Sequence, residues 1–470
     1  MTLRENLLAW GRVLLGVFLL STPSWSQGFA LGERQNTRGI GMGRTSAAVS
    51  YGLDAAGTNP ANLSLGTGYS VMIGIAPTGF QAGGDVLSYE IYTEFFSGVD
   101  SPDGTIGRNM TEDDKLRILE RFSGEDPGRS YVDLDARLFG IGVRLPGTGV
   151  LAFTITDYAG AALTIPRDLA RFVLYGNPLG SSYDFGGAEV TANWMRAYTL
   201  SFGSTIPGIS FMEFLSIGGG VKHVQGFAYY EVLRSESRLS TSRYGVLTGQ
   251  IDFLARSSQS ATLKGSGFDL FPDPSGMGWG FDLGVSAGLT KALSIGASVI
   301  DIGSIAWTDN NQEVYTDTLL TIDNPLDPEQ QDAIVNAISG IQQRETDTFS
   351  TRLPTRFRAG VALQVHHLGA FRHMGGELIL AADFVRGFHD APGSSTEARV
   401  SFGAEYKGVP WLPVRAGVWS GGPGGTNVSF GFGVHTEYVA IDLATDNIGW
   451  AVAPGRTSYG SLSFGATVRF

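Results

Sequence analysis

The chain has 470 residues, no cysteine and a formal net charge of -12 at pH 7. The absence of cysteine excludes a disulfide framework and any thiolate metal site. The acidic balance argues against nucleic acid as a partner, because phosphate binding needs a basic face. Glycine is about twice as frequent as usual, with 66 residues, yet it follows no collagen period.

Residues 1–26 have the pattern of a secretory signal peptide. Arg4 and Arg12 flank a short apolar run, and Ser24-Trp25-Ser26 offers the small residues that a signal peptidase needs. We therefore expect a cleaved signal and a mature chain that begins near Gln27. The apolar run is too short to span a membrane, and no later stretch approaches about 18 consecutive apolar residues. Any membrane crossing must therefore use strands that close into a barrel.

Residues 27–66 form a segment that is punctuated by glycine and that precedes the first strand. Gly39, Gly41 and Gly43 permit close backbone approach or positive φ. Asn59-Pro60-Ala61 is a turn initiator, and Pro60 restricts Asn59 to extended geometry. One interpretation is a plug that threads a crowded lumen; the other is an ordinary leader turn into the first strand. A dinucleotide-binding loop is excluded, because the third glycine and a preceding strand are both missing.

Alternation of apolar and small or polar residues indicates strands along the rest of the chain. Several of these segments carry Asp, Glu or Arg on the small-residue face, where a water-filled lumen would hydrate them. The predicted strands are 69–80, 131–145, 149–158, 193–206, 211–228, 279–290, 293–306, 353–366, 376–388, 398–406, 411–420, 427–435, 438–447 and 461–470.

The lengths of the connections predict the topology. Short turns alternate with long loops at 81–130, 159–192, 229–277 and 307–352. Bacterial barrels place short turns in the periplasm and long loops outside, with an even number of strands. If 229–277 is an external excursion, in which a pair of strands can extend above the bilayer, the count is about fourteen strands. We therefore predict an all-β fold, a transmembrane antiparallel β-barrel over residues 67–470.

Two of the external loops are predicted to carry helices. Thr111 is a helix N-cap followed by three acidic residues, and an apolar face follows over 116–122. Asp327-Pro328 opens a second helix with an isoleucine stripe over 334–341. Their apolar faces suit either a lid over the barrel mouth or a purely structural role in the loops.

The final strand has the pattern of a barrel-assembly signal. Phe464, Val468 and the terminal residue Phe470 lie on its apolar face, and Ser461 and Ser463 lie on its polar face. Outer-membrane barrels end in this way, and the terminal aromatic residue is read by the barrel-assembly machinery. The alternative is an edge strand of a soluble sandwich.

Residues 38–65, with the glycine-punctuated Gly41-Met42-Gly43 and the Asn59-Pro60-Ala61 motif, resemble the opening of the FadL and PorV group of outer-membrane barrels. Asp301-Ile302-Gly303 with Trp307, and the stretch 383–405, are similar to an uncharacterised Bacteroidetes-type branch of that group. The resemblance implies a fourteen-stranded barrel in the outer membrane of a Gram-negative bacterium, with residues 27–66 as a hatch inside it. The usual Asn-Pro-Ala-Gly of the group is Asn-Pro-Ala-Asn here.

Two functions follow from the resemblance. Likeness to FadL implies a channel for passive uptake of hydrophobic small molecules, which leave sideways into the membrane. Likeness to PorV implies a barrel that serves type IX secretion or the surface attachment of exported proteins. The expected partners are outer-membrane lipid, lipopolysaccharide and the assembly machinery, together with hydrophobic small molecules or secreted proteins, and not nucleic acid.

An outer-membrane enzyme is disfavoured, because no nucleophile is accompanied by its base. No cofactor and no metal are expected. His366, His367 and His373 lie close enough in sequence to suggest a metal site, but solvated turn histidines are commoner. Asp309, Asn310, Asn311 and Glu313 allow the same two interpretations for a cation on an external loop.

Overall fold

The computed structural model describes residues 33–470, with the exception of 67, 85–90, 102–103, 107–108, 123–126, 208–209, 265–268, 325–326, 328–329, 331–341, 372, 390–394, 422–424 and 455–456. Its dominant feature is one antiparallel sheet that closes on itself. The strands are β1 Val71–Gly74, β2 Thr78–Gly84, β3 Val99–Ser101, β4 Gly104–Ile106, β5 Gly128–Leu145, β6 Gly149–Ile165, β7 Ser182–Asp184, β8 Glu189–Ile206, β9 Phe214–Ser235, β10 Arg238–Thr241, β11 Leu247–Gln259, β12 Gly276–Gly288, β13 Leu293–Trp307, β14 Gln312–Ile322, β15 Gln342–Glu345, β16 Phe349–Arg352, β17 Arg356–Gln364, β18 Glu377–Gly387, β19 Arg399–Lys407, β20 Val414–Gly421, β21 Thr426–His435, β22 Val439–Thr445 and β23 Tyr459–Arg469.

Helices are few and short in the described part of the chain. They are α1 Thr37–Gly41, α2 Glu112–Leu119, α3 Arg167–Tyr175 and α4 Ile448–Val452, with single helical turns at Gly52–Ala55, Pro60–Ser64, Tyr92–Phe96, Ala261–Lys264, Val365–His367 and Gly369–Phe371. None of the described helices has the length and apolar character needed to span a membrane.

The described residues form a closed barrel of fourteen strands, which confirms the predicted fold class. Two of the fourteen are interrupted: β1 and β2 make the first, and β16 and β17 make the eighth. The last strand closes on the first. The Phe470 backbone N–H donates to the Val71 carbonyl at 2.9 Å, and the Phe470 carbonyl accepts from the Ser70 N–H at 2.6 Å.

Side chains on the barrel strands alternate between an outer apolar face and an inner buried face. On β23, Phe464 is 41% exposed, whereas its neighbour Ser463 is 2% exposed. Phe470 is exposed at the strand end, and Val468, which is half-buried, pairs with Ile73 of β1 at a position of the same parity as Phe464. A continuous apolar outer face suits lipid. The closed wall and this outer face are those of a transmembrane antiparallel β-barrel.

The external region is more regular than the sequence predicts. Strand β9 continues to Ser235, seven residues past its predicted end, and β11 pairs with both β9 and β14. The excursion 229–277 therefore contains strands that extend the wall outward. This is the possibility, left open by the sequence, that strands of this excursion extend above the bilayer. Alternation alone could not locate the membrane boundary, because pairing continues above it.

The loop helices agree only in part with the prediction. Helix α2 begins after its N-cap Thr111, with the side chains of Thr111 and Asp114 forming a capping box. Helix α3 was not predicted; its Leu174 packs against Leu119 and Phe122 at the end of α2. The second predicted helix, over 327–341, falls almost entirely outside the described residues.

Candidate functional site inside the barrel

Residues 33–66, here called the hatch, lie in the lumen and are almost entirely buried. They run from α1 through the turns Gly52–Ala55 and Pro60–Ser64 before the chain enters β1. No described hatch residue pairs with a wall strand in the sheet. Side chains and close packing must therefore hold the hatch in place.

Glycines on the inner face of the wall make room for the hatch backbone. A Cβ atom at Gly403 would overlap the Met42 carbonyl, and a Cβ atom at Gly417 would overlap the Gly43 nitrogen. On the opposite side, a Cβ atom at Gly218 would overlap Pro60. Part of the high glycine content is thus explained by the places where the hatch backbone meets the wall backbone, because only glycine fits there.

The three glycines predicted from the hatch sequence have different roles. Gly43 takes a φ of 68°, and a Cβ atom there would also lie 2.6 Å from the Phe402 carbonyl oxygen of β19. Gly41 ends α1, and a Cβ atom there would lie 3.0 Å from the Cα of Gly431 on β21. Gly39 approaches the hatch itself rather than the wall, with a Cβ position 2.9 Å from the Thr45 carbonyl oxygen.

Asn59, Pro60 and Ala61 join the hatch to β12 and to itself. Asn59 is extended (φ -146°, ψ 98°), and its side-chain oxygen accepts from the Ala61 N–H at 3.2 Å. The Asn59 amide donates to the Ala47 carbonyl at 2.8 Å and to Ser286 Oγ of β12 at 2.9 Å. The motif therefore acts as a helical-turn cap and as a wall contact.

Asn62, which replaces the usual glycine of the motif, is buried in the same network. Its amide donates to the Ala47 carbonyl at 3.0 Å and to Ser50 Oγ at 3.1 Å. Asn62 thus adds contacts within the hatch.

Arginines of the hatch bind acids of the wall. Arg38 donates to Glu405 of β19 through Nε at 2.9 Å and through Nη2 at 2.8 Å. Arg34 Nη2 lies 3.0 Å from Asp133 Oδ2 of β5. Two-point Arg–carboxylate contacts such as the first are the geometrically specific kind.

Charged side chains of the wall also bind the hatch: wall arginines bind an acidic side chain of the hatch, and a wall aspartate binds backbone N–H groups of the hatch. Arg358 and Arg399 both contact Glu33, the former at 3.0 Å. Burial by itself would raise the pKa of Glu33, but these arginines and their neighbours hold that pKa well below its usual range. Asp383 Oδ2 of β18 accepts from the backbone N–H groups of Ser46 and Ala47 at 2.7 and 2.8 Å.

These contacts correct one expectation from the sequence. The charged groups on the inner strand faces were expected to be hydrated by a water-filled lumen. Glu405, Asp383 and Arg358 are instead buried against the hatch. A buried charge is tolerated when it is paired and hydrogen-bonded, and the hatch supplies the partners.

A second buried charge cluster lies on strands β9, β12 and β13. Lys222 Nζ contacts Asp282 at 3.0 Å and Asp301 at 2.5 Å. Asp301, from the Asp301-Ile302-Gly303 signature, has a φ of 58° where the β12–β13 pairing shifts register. Closer to the outside, strands β6, β8, β9 and β13 carry a buried apolar cluster whose members are Tyr158, Met195, Ala197, Val224, Ile305 and Trp307, together with Leu353.

A cavity of about 1000 Å³ lies on the periplasmic side of the hatch. Tyr51 of the hatch and the turn residues His366, Lys407 and Trp411 are among those that line it. The His366 and His367 ring centroids are 4.3 Å apart. Across the described residues, no group of three or more histidine, aspartate or glutamate side chains is placed to hold a metal ion.

Sequence analysis did not identify Arg34, Arg38 and Arg44 as site residues. The signal in the sequence was the presence of three arginines within eleven residues of a segment expected inside a lumen, because buried arginines need acidic partners. Acids on the small-residue faces of the strands were noticed, but the pairing of the two sets depends on distances across the barrel, which periodicity does not contain.

Comparison with known proteins yields similar folds. The toluene transporter TbuX of Ralstonia pickettii is 14% identical, with 94% of this chain and 99% of that chain covered and a TM-score of 0.47. The toluene transporter TodX of Pseudomonas putida is 13% identical, with 94% and 98% covered and a TM-score of 0.43. A FadL homologue of Pseudomonas aeruginosa is 13% identical, with 96% and 100% covered and a TM-score of 0.44.

No curated protein matches the sequence. Residues 60–455, from the Asn-Pro-Ala motif to the loop before the last strand, match one family over most of the chain. The chain belongs to the family of unknown function DUF5723.

Proposed function

We propose that the protein is an outer-membrane channel for passive uptake of hydrophobic small molecules and that the hatch closes it at rest. The observation that carries this proposal is the way in which the hatch is held. It contacts the wall through hydrogen bonds and ion pairs of side chains, and it shares no strand pairing with the wall in the described residues. These side-chain contacts can break while the backbone hydrogen bonds between the wall strands stay intact.

The inner surface beyond the hatch supports an apolar substrate. The cluster that contains Tyr158, Met195 and Trp307 lies on inner faces of β6, β8 and β13, and Tyr229 and Phe349 pack against it. Its members are packed against one another in this closed structure, and once the hatch moved they would supply the apolar surface that is typical of sites for hydrophobic ligands. A water-filled porin lumen is polar instead.

Deletion of residues 33–65 tests the proposal. A fourteen-stranded barrel is wider than the barrels of about eight strands that side chains alone can fill. In planar lipid bilayers we expect the intact protein to be nearly closed and the deletion variant to show large, stable openings. Equal conductance of the two proteins would contradict the proposal.

A PorV-type docking role is the second candidate, because the external loops expose large apolar side chains. Val173, Leu179, Tyr244 and Leu319 are among the most exposed apolar residues of the chain. Exposed apolar patches are typical of protein contact sites. Replacing these four side chains by serine should leave conductance and uptake unchanged if the protein is only a channel. Loss of a secreted protein from the cell surface in that variant would favour docking.

A further inference from the structure

The cavity on the periplasmic side of the hatch lies between the hatch and the wall. Val49 and Tyr51 of the hatch line it from one side, and Trp411 and Arg469 of the wall line it from the other. The strand connections around it are the periplasmic turns, which are shorter than the external loops. A ligand therefore reaches this cavity from the periplasm, and once bound it contacts hatch and wall together.

The described lining of this cavity reverses the charge balance of the chain. The whole chain has 45 acidic residues and 33 lysine and arginine residues. In the lining, two acidic residues are outnumbered by three that are cationic at pH 7, which are Arg38, Lys407 and Arg469. Three of the six histidines of the chain also lie there, namely His366, His367 and His435. This excess of basic groups favours an anionic ligand.

The basic groups of the wall form an arc along its strand ends. They come from the periplasmic ends of successive hairpins: His366 and His367 follow β17, Lys407 ends β19, His435 ends β21 and Arg469 ends β23. Six strand spacings separate β17 from β23. Neighbouring strands are about 4.8 Å apart, so the arc is roughly 30 Å long. A small anion contacts one part of such an arc, whereas an extended peptide can follow all of it.

The middle of the arc is already neutralised by acidic residues of the protein. Lys407 Nζ lies 3.3 Å from Glu377 Oε2. His435 Nε2 lies 3.0 Å from Asp442 Oδ1. These two basic groups therefore leave little charge for a ligand.

The two ends of the arc have no acidic partner in the described part of the chain. At one end, His366 and His367 form no ion pair there, and their rings lie side by side. At the other end, Arg469 forms no ion pair either. Its guanidinium donates to the Thr436 carbonyl at 2.8 Å and lies over the Tyr69 ring, 4.7 Å from the ring centroid. A ligand with carboxylates near both of its ends complements this arrangement.

Aromatic rings complete the lining. Tyr51 comes from the hatch, Tyr69 from the segment before β1 and Trp411 from the turn after β19. Such rings offer a large apolar contact area together with a polar atom. A volume of about 1000 Å³ spread along roughly 30 Å suits a single extended chain and not a folded domain.

We propose that this cavity binds one extended acidic segment of a periplasmic protein and that the bound segment holds the hatch against the wall. An extended chain advances about 3.3 to 3.6 Å per residue, so about nine residues span the arc. Because the segment contacts both hatch and wall, it stabilises the closed arrangement over one in which the hatch has moved. This binding site does not depend on the channel function proposed above.

Binding of a synthetic peptide tests the site. The probe is a fluorescein-labelled peptide of about nine residues in which Asp and Tyr alternate, with Asp at both ends. Its matched control has Asn in place of every Asp. Both peptides are titrated by fluorescence anisotropy against the protein in lipid nanodiscs. The variants are Arg469→Gln at one end of the arc and His366→Ala with His367→Ala at the other, and Lys291→Gln, in a periplasmic turn outside the cavity, is the control.

We expect saturable binding of the acidic peptide and at least about tenfold weaker binding of the Asn peptide, because hydrogen bonds to charged groups are the stronger kind. Each end variant weakens binding of the acidic peptide by a similar factor, whereas Lys291→Gln leaves it unchanged. The bound peptide also slows amide hydrogen exchange in hatch residues 48–51. Charge attraction to the surface alone would not slow exchange there.

Equal affinity for the Asp and Asn peptides, or wild-type affinity in either end variant, would overturn the site. The histidine variant changes a single turn, so the test stands even if Arg469→Gln fails to assemble. Binding of soluble peptidoglycan fragments in place of the acidic peptide would assign the cavity to the cell wall and would also overturn the proposal. None of these measurements uses conductance, so a negative result leaves the proposed channel function untouched.

Discussion

At the residue scale, the contact between hatch and wall depends on two kinds of residue. Wall positions such as Gly403 and Gly417 have no side chain, which lets the hatch backbone approach. Charged residues such as Arg38 of the hatch and Glu405 of the wall form ion pairs with each other. Breaking a buried pair by removing one partner costs about 3 to 5 kcal/mol, because the remaining charge is left without a partner.

Gly403→Ala should displace the hatch while the barrel still folds. The added methyl group would overlap the Met42 carbonyl, and overpacking of this kind costs about 1 to 3 kcal/mol. We expect more frequent channel openings in planar bilayers. The matched control is Gly369→Ala in a turn, where nothing lies within 4 Å of the new Cβ atom. Wild-type closure of Gly403→Ala would show that the hatch does not press on the wall there.

Glu33 should remain ionised in mild acid. Burial alone would raise the pKa of Glu33, but Arg399 and Arg358 favour its charged form and hold that pKa well below its usual range. A carboxyl group with a depressed pKa stabilises the folded state at pH values above its unfolded pKa, and this contribution is lost only as the pH falls through the depressed value. The carboxylate band of Glu33, measured as the infrared difference between the protein and Glu33→Gln, should therefore be the same at about pH 5 and about pH 8. Loss of that band at the lower pH would contradict this.

At the element scale, the strand ends decide closure of the wall. The terminal residue Phe470 exchanges backbone hydrogen bonds with Ser70 and Val71, so the last residue of the chain takes part in the seam. The opposite end of the neighbouring strand β22 stops early, and a short helix takes over its place. The same sheet is thus sealed at the periplasmic side and interrupted near its outer side.

Deletion of Phe470 should strongly reduce barrel assembly. The deletion removes the seam contacts with Ser70 and Val71, and unpaired backbone groups in lipid cost several kcal/mol. The measurement is the yield of heat-modifiable protein in outer-membrane fractions. Phe470→Tyr, which keeps the backbone and the aromatic ring, is the control. A wild-type yield without Phe470 would exclude its role in assembly.

Position along the lipid face should determine the cost of a charge. Phe430 faces outward on β21, five residues above the end of the strand, and Tyr438 is exposed in the periplasmic turn after it. Arg costs about 2 to 4 kcal/mol at mid-depth and about 0 to 1 kcal/mol near the interface. Phe430→Arg should therefore lower the folded yield in lipid vesicles much more than Tyr438→Arg. Equal yields would mean that the assigned depth is wrong.

At the scale of the whole molecule, hatch and barrel are separate units of structure. The closed ladder of the wall contains no hatch residue among those described. We therefore expect the variant that lacks residues 33–65 to give a heat-modifiable barrel at near wild-type yield, because water can hydrate wall charges such as Glu405 once the hatch is gone. Failure of this variant to assemble would mean that the hatch is part of the folding unit.

Much of this architecture is determined by the sequence alone. Period-two alternation depends on adjacent residues, and it predicted all fourteen strands and the outer face of the last one, including Phe464. The turn at Asn59-Pro60 also follows from local chemistry, because proline limits the backbone of the residue before it. The export signal over 1–26 remains a prediction.

Only the tertiary structure decided what fills the barrel and where its wall is interrupted. The pairing of Arg38 with Glu405 joins residues 367 positions apart, and that of Arg44 with Asp446 joins residues 402 positions apart. No local pattern contains such distances. The interruption of the wall has the same origin, because it arises from the length of β22 relative to β21 and β23, and a strand ends where its neighbours stop pairing with it.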